Sequence, residues 1–380
     1  MPKYSENNML KIAKRYNNKK RTYLLVNPLQ AKHLAVSPTD SLDMMQTFGK
    51  MLARKYPDTK LVIGFAETAT AIGAVVAGCI SDECIYIHTT REKDEEVSEW
   101  IFFEEEHSHA VNQLLCAEHL FEWVNDTKTV LFIEDEVSTG KTMLNIIAEL
   151  KKVFPILKEK ELIVASLLNR VSGENEARLV DAGIKCEYLV KLASEGYEEK
   201  VQQIHVKEAE QINSGKESFS HRTLNVEGLN SMNQGMPIQK YIKKCDLLKT
   251  AVLQEFESKK GLVDKILVLG TEECMFPALY IGKGLEESGF IVFCHATTRS
   301  PIGLNEEEKY PIKNGKKITS FYKNDRDTYV YDLQKYDAVI VISDTKNKDL
   351  KAMNDVVSAF RPLGCNSFYF VQGGQNVWYI

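Results

Sequence analysis

The sequence predicts an α/β protein with two domains, each built on a parallel sheet covered by helices. Apolar runs of strand length alternate with segments whose apolar residues recur at helical spacing. This alternation occurs twice, with a polar stretch between the two series. The chain has 380 residues, and ordinary domains contain roughly 100 to 200, so two domains are expected.

Six apolar runs in the first half are predicted strands, at 23–26, 61–64, 84–88, 129–133, 162–168 and 187–190. Two helical stripes lie between them. One stripe precedes the second run and the other follows the fourth; they consist of Leu42, Met45, Phe48 and Leu52, and of Met143, Ile146, Ile147 and Leu150.

The second series begins after a polar stretch at 201–238, which is rich in Gln, Ser, Asn, Gly and Lys and contains turn signals. We interpret this stretch as a linker or an excursion between domains. Beyond it, the pattern predicts a helix at 241–256 and strands at 265–270, 290–295 and 338–343. The predicted domains are therefore 1–200 and 239–380.

The two halves resemble distant copies of one unit. Residues 61–67 read LVIGFAE, residues 267–273 read LVLGTEE, and each run precedes a predicted helix. Further along, Thr-Thr-Arg occurs at 89–91 and again at 297–299. The second domain is therefore predicted to be an α/β domain and a degenerate copy of the first. Chance similarity is the alternative, because α/β units share their strand-loop-helix organisation.

Composition excludes several classes of protein. No run of about 18 apolar residues occurs, and residues 1–21 are polar and basic, so we expect a cytoplasmic protein with no membrane partner. The net charge of -5 argues against an extended nucleic-acid groove, which needs a basic face. The eight cysteines are scattered without metal-binding spacing, which is typical of reduced thiols.

The strongest chemical signal follows the strand predicted at 129–133. The strand ends in two adjacent carboxylates, and a turn of small residues then starts a helix. Hydroxyls and backbone N–H groups at a helix N-terminus can bind a phosphate, while carboxylates accept hydrogen bonds from ribose hydroxyls. The predicted sugar-phosphate contacts are Glu134, Asp135, Ser138, Thr139, Gly140, Lys141 and Thr142.

Residues 130–142 resemble the fingerprint of type I phosphoribosyltransferases: four apolar residues, an acidic pair, two apolar residues and a Thr/Gly-rich phosphate loop. The match departs at Glu136, where the family has an apolar residue, and this third carboxylate puts the local charge and metal affinity in question. The resemblance implies a phosphoribosyltransferase-type parallel sheet flanked by helices. It also implies phosphoribosyl pyrophosphate (PRPP) as substrate and Mg²⁺ at Glu134 and Asp135, held mostly through ligand phosphates or water.

A P-loop nucleotide triphosphatase or kinase is the less favoured alternative, because residues 140–142 read Gly-Lys-Thr. That loop needs a glycine five residues before Gly140. Asp135 occupies this position, and its carboxylate would repel the phosphates.

The resemblance implies two further groups of contacts with the leaving pyrophosphate. The pyrophosphate loop corresponds to Phe65, Ala66, Glu67, Thr68 and Ala69, although Thr68 and Thr70 would serve equally well as helix caps. Cations that stabilise the departing charge are predicted at Arg91 and Lys93. His107 or His109 is predicted to protonate the leaving group or to orient the nucleophile, with solvent-exposed histidines as the alternative.

The acceptor site is predicted near the start of the chain. Residues 27–33 follow a predicted strand, at the position where the resembled family carries a hood over the acceptor base. Lys32 and His33 are the predicted acceptor contacts.

The second half carries Thr-Arg-Ser-Pro at 298–301, which resembles the signature of the TRSP domain. That domain is fused to orotate-phosphoribosyltransferase-like domains in proteins encoded beside tellurium-resistance and stress-response genes. Thr298, Arg299 and Ser300 are predicted to bind an anion together with 271–274, and a structural salt bridge of Arg299 is the alternative. Residues 343–349 keep an aspartate but lack the Thr-Gly-x-Thr loop, so this copy is not expected to bind PRPP in the ordinary way.

The sequence therefore predicts a Mg²⁺-dependent phosphoribosyltransferase that acts on PRPP and an unidentified acceptor, or that runs the reverse pyrophosphorolysis. The resemblance places it in the synthesis of a ribosyl or nucleoside-like metabolite and suggests a homodimer. A non-catalytic sensor of a phosphoribosyl ligand is the alternative on the same fold.

Overall fold

The computed structural model describes residues 2–18, 21–94, 97–103 and 113–380. Its strands are β1 (Lys11–Lys14), β2 (Tyr23–Val26), β3 (Leu61–Gly64), β4 (Ile85–His88), β5 (Trp100–Phe103), β6 (Gln113–Cys116), β7 (Thr129–Val137), β8 (Glu161–Asn169), β9 (Ile184–Lys191), β10 (Ser220–Thr223), β11 (Met236–Pro237), β12 (Lys265–Gly270), β13 (Ile291–Ala296), β14 (Gly315–Thr319), β15 (Asp327–Tyr331), β16 (Ala338–Ser343), β17 (Ser367–Gln372) and β18 (Asn376–Tyr379).

The α-helices are α1 (Glu6–Met9), α2 (Pro38–Lys55), α3 (Thr70–Ile80), α4 (Leu120–Asp126), α5 (Lys141–Val153), α6 (Gly173–Asp181), α7 (Tyr197–Gln202), α8 (Ile238–Glu257), α9 (Phe276–Glu287) and α10 (Leu350–Phe360). Short 3-10 helices occur at Pro155–Glu159, Met232–Gln234 and Arg361–Leu363. Within the described part of the chain, no helix combines the length and apolar character needed to cross a bilayer.

The chain divides into two compact units that are discontinuous in sequence. The first comprises Met1–Glu6, Met44–Gly196 and Met232–Tyr241, and the second comprises Asn7–Asp43, Tyr197–Ser231 and Ile242–Ile380. This division differs from the predicted boundaries because Asn7–Asp43 clusters with the second unit. Leu24 and Val26 of β2 share a buried apolar cluster with Ile302 and Tyr331, which explains the assignment.

The first unit is built on a mixed sheet with the strand order β11-β4-β3-β7-β8-β9. Strands β4, β3, β7, β8 and β9 pair in parallel, and β11 pairs with β4 at the edge in antiparallel orientation. The predicted stripe of α5 is buried in the core that covers this sheet, as expected for an amphipathic helix. The predicted run at 23–26 forms β2, which pairs with β1 outside this sheet.

The second unit has a sheet with the order β10-β18-β17-β16-β12-β13. Its strands β13, β12, β16 and β17 pair in parallel, whereas β18 and β10 are antiparallel at the other edge. A separate hairpin joins β14 to β15. Both units therefore confirm the predicted α/β class. In each unit, four neighbouring parallel strands follow the same order along the sheet: β4-β3-β7-β8 in the first and β13-β12-β16-β17 in the second.

The stretch at 201–238 contains regular structure rather than a simple linker. Its β10 pairs with β18 in the second unit, and β11 pairs with β4 in the first. Each is an edge strand, and edge strands are often short and polar because one of their sides faces solvent. This explains why the composition of the stretch suggested a linker.

His295 gives the second unit a testable pH dependence. The side chain is buried on β13, and burial lowers its pKa from 6.5 to about 4, against the opposing effect of Asp332. The unfolded chain therefore binds a proton that the folded chain excludes below about pH 6.5. We expect the unfolding free energy to fall by about 1.5 kcal/mol between pH 6.5 and pH 5 because of this one group.

Urea unfolding of wild type and His295→Leu at both pH values checks this expectation. The variant should lose less stability on acidification than wild type does. A variant of exposed His205, His205→Gln, should follow wild type. Equal acid sensitivity of wild type and His295→Leu would contradict the prediction.

Candidate active site

The acidic pair lies where strand β7 reaches the carboxyl edge of the first sheet. Side chains alternate along a strand, so Asp135 points to the opposite face from Glu134 and Glu136. The Thr68 hydroxyl donates a hydrogen bond to Asp135 Oδ1 at 2.8 Å. This bond joins the acidic pair to the loop after β3, two segments that lie far apart in sequence.

The turn after β7 starts helix α5 at a glycine. Gly140 is the cap residue, and its φ of 72° lies in the left-handed region that side chains disfavour. A Cβ at this position would lie 2.7 Å from Leu179 Cδ1. Since glycine has no side chain to cap the first turn, the backbone N–H groups of that turn can serve a bound anion. Ser138 is half-buried, whereas Thr139, Lys141 and Thr142 are exposed around this turn.

The loop at 65–69 packs directly beside the end of β7. The Phe65 N–H donates to Ile133 O at 3.0 Å, and the Ala66 N–H donates to Thr89 Oγ1 at 2.9 Å. The Ala66–Glu67 peptide bond is cis. Phe65, Ala66 and Ala69 are buried, whereas Glu67 and Thr68 are half-buried.

The alternative role of the threonines as helix caps is settled by these contacts. Helix α3 has Ala69 as its cap residue, with no bond from the cap side chain, and the Thr68 hydroxyl bonds to Asp135 instead. The Thr70 hydroxyl lies 3.4 Å from Glu67 O. Thr68 therefore joins two predicted ligand-binding segments rather than starting a helix.

Arg91 and Lys93 follow β4, the strand next to β3 in the sheet. Because parallel strands end at one edge, these cations lie on the same edge as 65–69 and 134–142. Arg91 is half-buried and Lys93 is exposed. His107 and His109 lie outside the described residues.

Comparison with known proteins connects this geometry to a family. Residues 9–195 match the family model described as phosphoribosyl transferase, and residues 239–360 match the TRSP domain that is C-terminal to it. The chain joins a phosphoribosyl transferase domain to a TRSP domain. This confirms the predicted enzyme class and the predicted fusion.

Several solved phosphoribosyltransferase structures resemble part of the chain. Adenine phosphoribosyltransferase of Giardia lamblia, solved with 9-deazaadenine, is 15% identical over 48% of this chain and 94% of that chain, with a TM-score of 0.35. The Trypanosoma brucei adenine enzyme, in complex with AMP, pyrophosphate and ribose-5-phosphate, is 14% identical over 48% and 76%, with a TM-score of 0.34. Orotate phosphoribosyltransferase of Aeropyrum pernix is 16% identical over 44% and 77%, with a TM-score of 0.26. No curated protein matched the chain.

The additional carboxylate of the transferase domain, Glu136, is paired with a cation. Arg170 Nε donates to Glu136 Oε1 at 2.7 Å, and both side chains are about nine-tenths buried, with 11% and 10% exposed. Arg170 Nη1 also donates to Ser194 O at 3.1 Å. The departure from the family fingerprint is therefore compensated locally, and Glu136 adds no uncompensated charge at the acidic pair.

We expect Arg170→Met to lower the unfolding free energy by about 3 kcal/mol, because it leaves the Glu136 carboxylate in a poorly hydrated place. The double variant Arg170→Met/Glu136→Gln should recover part of that loss, since the uncompensated charge is gone. Chemical denaturation of the two single variants and the double variant measures the coupling. Additive losses would show that the two side chains do not stabilise each other.

The predicted acceptor and anion residues lie in the second unit. Lys32 is buried, and its Nζ donates to the carbonyl oxygens of Glu272 at 3.0 Å and Thr297 at 3.1 Å. His33 is buried beside it in sequence. Arg299 Nε lies 2.6 Å from Glu272 Oε2, and its Nη2 lies 3.5 Å from Glu273 Oε1. These carboxylates neutralise the guanidinium, which favours the salt-bridge alternative over the predicted anion site.

Four residues that contact or adjoin the predicted site segments were not selected from the sequence: Thr89, Gln113, Arg170 and Leu179. Thr89 accepts from the Ala66 N–H and donates to Gln113 Oε1 at 2.6 Å. Thr89 belongs to the repeated Thr-Thr-Arg, which was an available signal. The others act through contacts distant in sequence, for which periodicity gives no indication.

Proposed function

We propose that the transferase domain transfers the phosphoribosyl group of PRPP to a nucleophilic acceptor, or catalyses the reverse cleavage by pyrophosphate. The hydrogen bond from Thr68 to Asp135 is the observation that carries this proposal. It brings an acid suited to ribose hydroxyls next to the loop proposed for pyrophosphate. A glycine-initiated helix suited to the 5'-phosphate follows within the same turn.

Each part of PRPP then has a matching group. Glu134 and Asp135 accept hydrogen bonds from the ribose hydroxyls. The turn from Ser138 to Thr142 donates backbone and hydroxyl hydrogen bonds to the 5'-phosphate. Residues 65–69 contact the pyrophosphate, and Arg91 and Lys93 offset its charge.

The reaction needs positioning and charge stabilisation rather than a covalent enzyme nucleophile. The bond from the anomeric carbon to pyrophosphate oxygen breaks, its electron pair leaves with pyrophosphate, and an acceptor lone pair forms the new bond at that carbon. Positive charge develops on the sugar and negative charge on the leaving group. Asp135 stabilises the first and Arg91 the second, in a site organised before the reaction.

The residues fit Mg²⁺ as a shared ligand of protein and substrate. Mg²⁺ prefers oxygen ligands, which Glu134 and Asp135 supply, and it usually retains waters and substrate phosphates. Within the residues that the structure describes, no group of three or more His, Cys, Asp or Glu side chains is arranged as a complete metal site. When bound, the ion would neutralise charge on the pyrophosphate.

Calorimetric titration with Mg-PRPP tests the proposal. We expect wild type to bind and Asp135→Ala combined with Thr139→Ala to bind at least about tenfold more weakly, a loss of about 1.4 kcal/mol. The matched control is Asp126→Ala, which removes an exposed carboxylate at the opposite end of β7 from the site. Equal affinity of the double variant and wild type would remove the central assignment.

A turnover assay separates catalysis from sensing. Release of pyrophosphate with an acceptor present supports a transferase, whereas tight binding without release for any acceptor supports a phosphoribosyl-ligand sensor. A homodimeric assembly and a role in making a ribosyl or nucleoside-like metabolite under tellurium or other stress follow from the sequence resemblance and form part of this proposal.

A further inference from the structure

Equivalent hydrogen bonds occur within each of the two units, in addition to the common strand order. The Thr89 N–H donates to Gly64 O at 2.9 Å in the first unit, and the Thr297 N–H donates to Gly270 O at 3.0 Å in the second. The hydroxyl of each threonine also accepts from the backbone N–H two residues after the glycine. Thr89 Oγ1 accepts from the Ala66 N–H at 2.9 Å, and Thr297 Oγ1 accepts from the Glu272 N–H at 3.0 Å.

The next residue repeats as well. Thr90 exchanges two backbone hydrogen bonds with Leu114 of the β5–β6 hairpin, both at 2.8 Å. Thr298 exchanges two with Tyr329 of the β14–β15 hairpin, at 2.9 Å and 2.7 Å. General α/β organisation does not require this hairpin or these side-chain bonds. The repetition therefore favours duplication over chance similarity.

The strand register then identifies equivalent site residues. Gly64 pairs with Ile133, and Gly270 pairs with Ile342. Counting two residues onward from each isoleucine makes Asp135 and Asp344 equivalent. The aspartate predicted to hold ribose in the first unit is thus retained in the second.

In the second unit, this aspartate is bonded to the chain's own hairpin loop. Tyr322 lies in the loop between β14 and β15, and its hydroxyl donates to Asp344 Oδ1 at 2.5 Å. Burial and the adjacent Asp344 raise the pKa of Tyr322 well above its ordinary value, so the phenol remains a donor. Asp135 Oδ1 also accepts from a hydroxyl of its own unit, that of Thr68 in the loop after β3. The donor to Asp344 is instead a bulky phenol from the hairpin loop, placed where a ribose would be expected.

The same loop is bonded to the counterpart of the pyrophosphate loop. Ser320 Oγ donates to Glu272 Oε1 at 2.5 Å, and Arg326 Nη2 donates to Glu272 Oε2 at 2.9 Å. Ser320 and Arg326 also bond to each other at 2.8 Å. Two ends of one loop are therefore anchored on a single buried carboxylate.

The phosphate position is filled in a similar way. Asp349 is the cap residue before helix α10, and its Oδ1 accepts from the Ala352 N–H at 2.9 Å. In the first unit, the cap residue before α5 is Gly140, which has no side chain to offer its helix. An aspartate cap supplies the negative charge that a phosphate would otherwise bring to the helix N-terminus.

We infer that the second unit is a divergent copy of the first whose ligand site is occupied by its own side chains, with the loop at 320–326 as a closed lid. Tyr322 replaces a sugar hydroxyl, Asp349 replaces the 5'-phosphate, and Glu272 holds both ends of the lid. Each chain therefore binds one PRPP molecule, a consequence that rests on the proposed function. The lid itself does not depend on it.

Hydrogen exchange on the full-length protein tests the lid without any ligand. Amides of 320–326 should exchange slowly in wild type and at least about tenfold faster in Tyr322→Ala, with Tyr322→Phe intermediate because it keeps the ring. The matched control is Tyr16→Ala, outside this loop, which should leave exchange at 320–326 unchanged. Exchange at 320–326 in wild type as fast as in Tyr322→Ala would overturn the lid.

Titration with Mg-PRPP tests the occupied site. We expect one molecule per chain, unchanged affinity in Asp344→Asn, and in Asp135→Ala one weakened site with no second site beside it. Two molecules per chain, or weaker binding in Asp344→Asn, would contradict self-occupation. If wild type binds no PRPP, the proposed function fails, and the exchange experiment still decides whether the lid is closed.

Discussion

Gly140→Ala is expected to weaken Mg-PRPP binding at least about tenfold and to lower the unfolding free energy by about 1–2 kcal/mol. Two physical effects combine at this residue. The φ of 72° disfavours any residue with a Cβ, and the new methyl would lie 2.7 Å from Leu179 Cδ1. Relief of either effect changes the turn that presents N–H groups to the phosphate.

Gly173→Ala is the matched control, because a Cβ there meets no atom within 4 Å and the residue begins helix α6 of the same unit. It should bind Mg-PRPP as wild type does. Leu179→Ala in the Gly140→Ala background would remove the clash but not the backbone cost, and it would also empty a fully buried side chain, so stability should not recover. Unchanged binding in Gly140→Ala would show that this turn does not hold the phosphate.

Glu272→Ala is expected to produce the largest loss of stability, of order 3–5 kcal/mol. The Glu272 side chain is only 1% exposed, and it pairs with Arg299 Nε at 2.6 Å and Arg326 Nη2 at 2.9 Å. Removal of the carboxylate leaves two guanidinium groups without their shared counter-charge in a poorly hydrated place. The unfolding transition of the second unit, followed by urea denaturation, measures the loss.

Glu257→Ala provides the comparison with an exposed ion pair. Glu257 lies 2.9 Å from Lys260, and the two side chains are 66% and 44% exposed. Solvent screens such pairs, so the loss should stay below about 1 kcal/mol. Similar losses in Glu257→Ala and Glu272→Ala would contradict the argument that burial determines the effect.

Local sequence patterns predicted the central elements well. The runs at 61–64, 265–270 and 338–343 coincide with strands β3, β12 and β16, because each is a mostly apolar and almost entirely buried segment. The acidic pair and Gly140 could also be selected from the sequence, because the residues of the predicted site at this turn are neighbours in the chain. Several short strands escaped prediction, including β17 and the hairpin of β14 and β15, because strand pairing depends on distant partners.

The placement of residues 7–43 could not be predicted. The sequence places Lys32 and His33 before the transferase strands, and the resemblance assigned them to the acceptor. In the structure Lys32 is bonded to Glu272 O and Thr297 O, more than 200 residues away in the chain. Such a contact leaves no periodic or local signal.

The sequence by itself determined the α/β class, the two series of strands and the fusion of two domains, and it indicated the turn that we propose binds a sugar phosphate, since these depend on residues close together in the chain. Only the tertiary structure decided that Thr68 bonds to Asp135, that Arg170 neutralises Glu136 and that Tyr322 covers Asp344. Each of these bonds joins side chains from separate strands and loops. Their energies depend on burial and distance, which exist only once the sheets have formed.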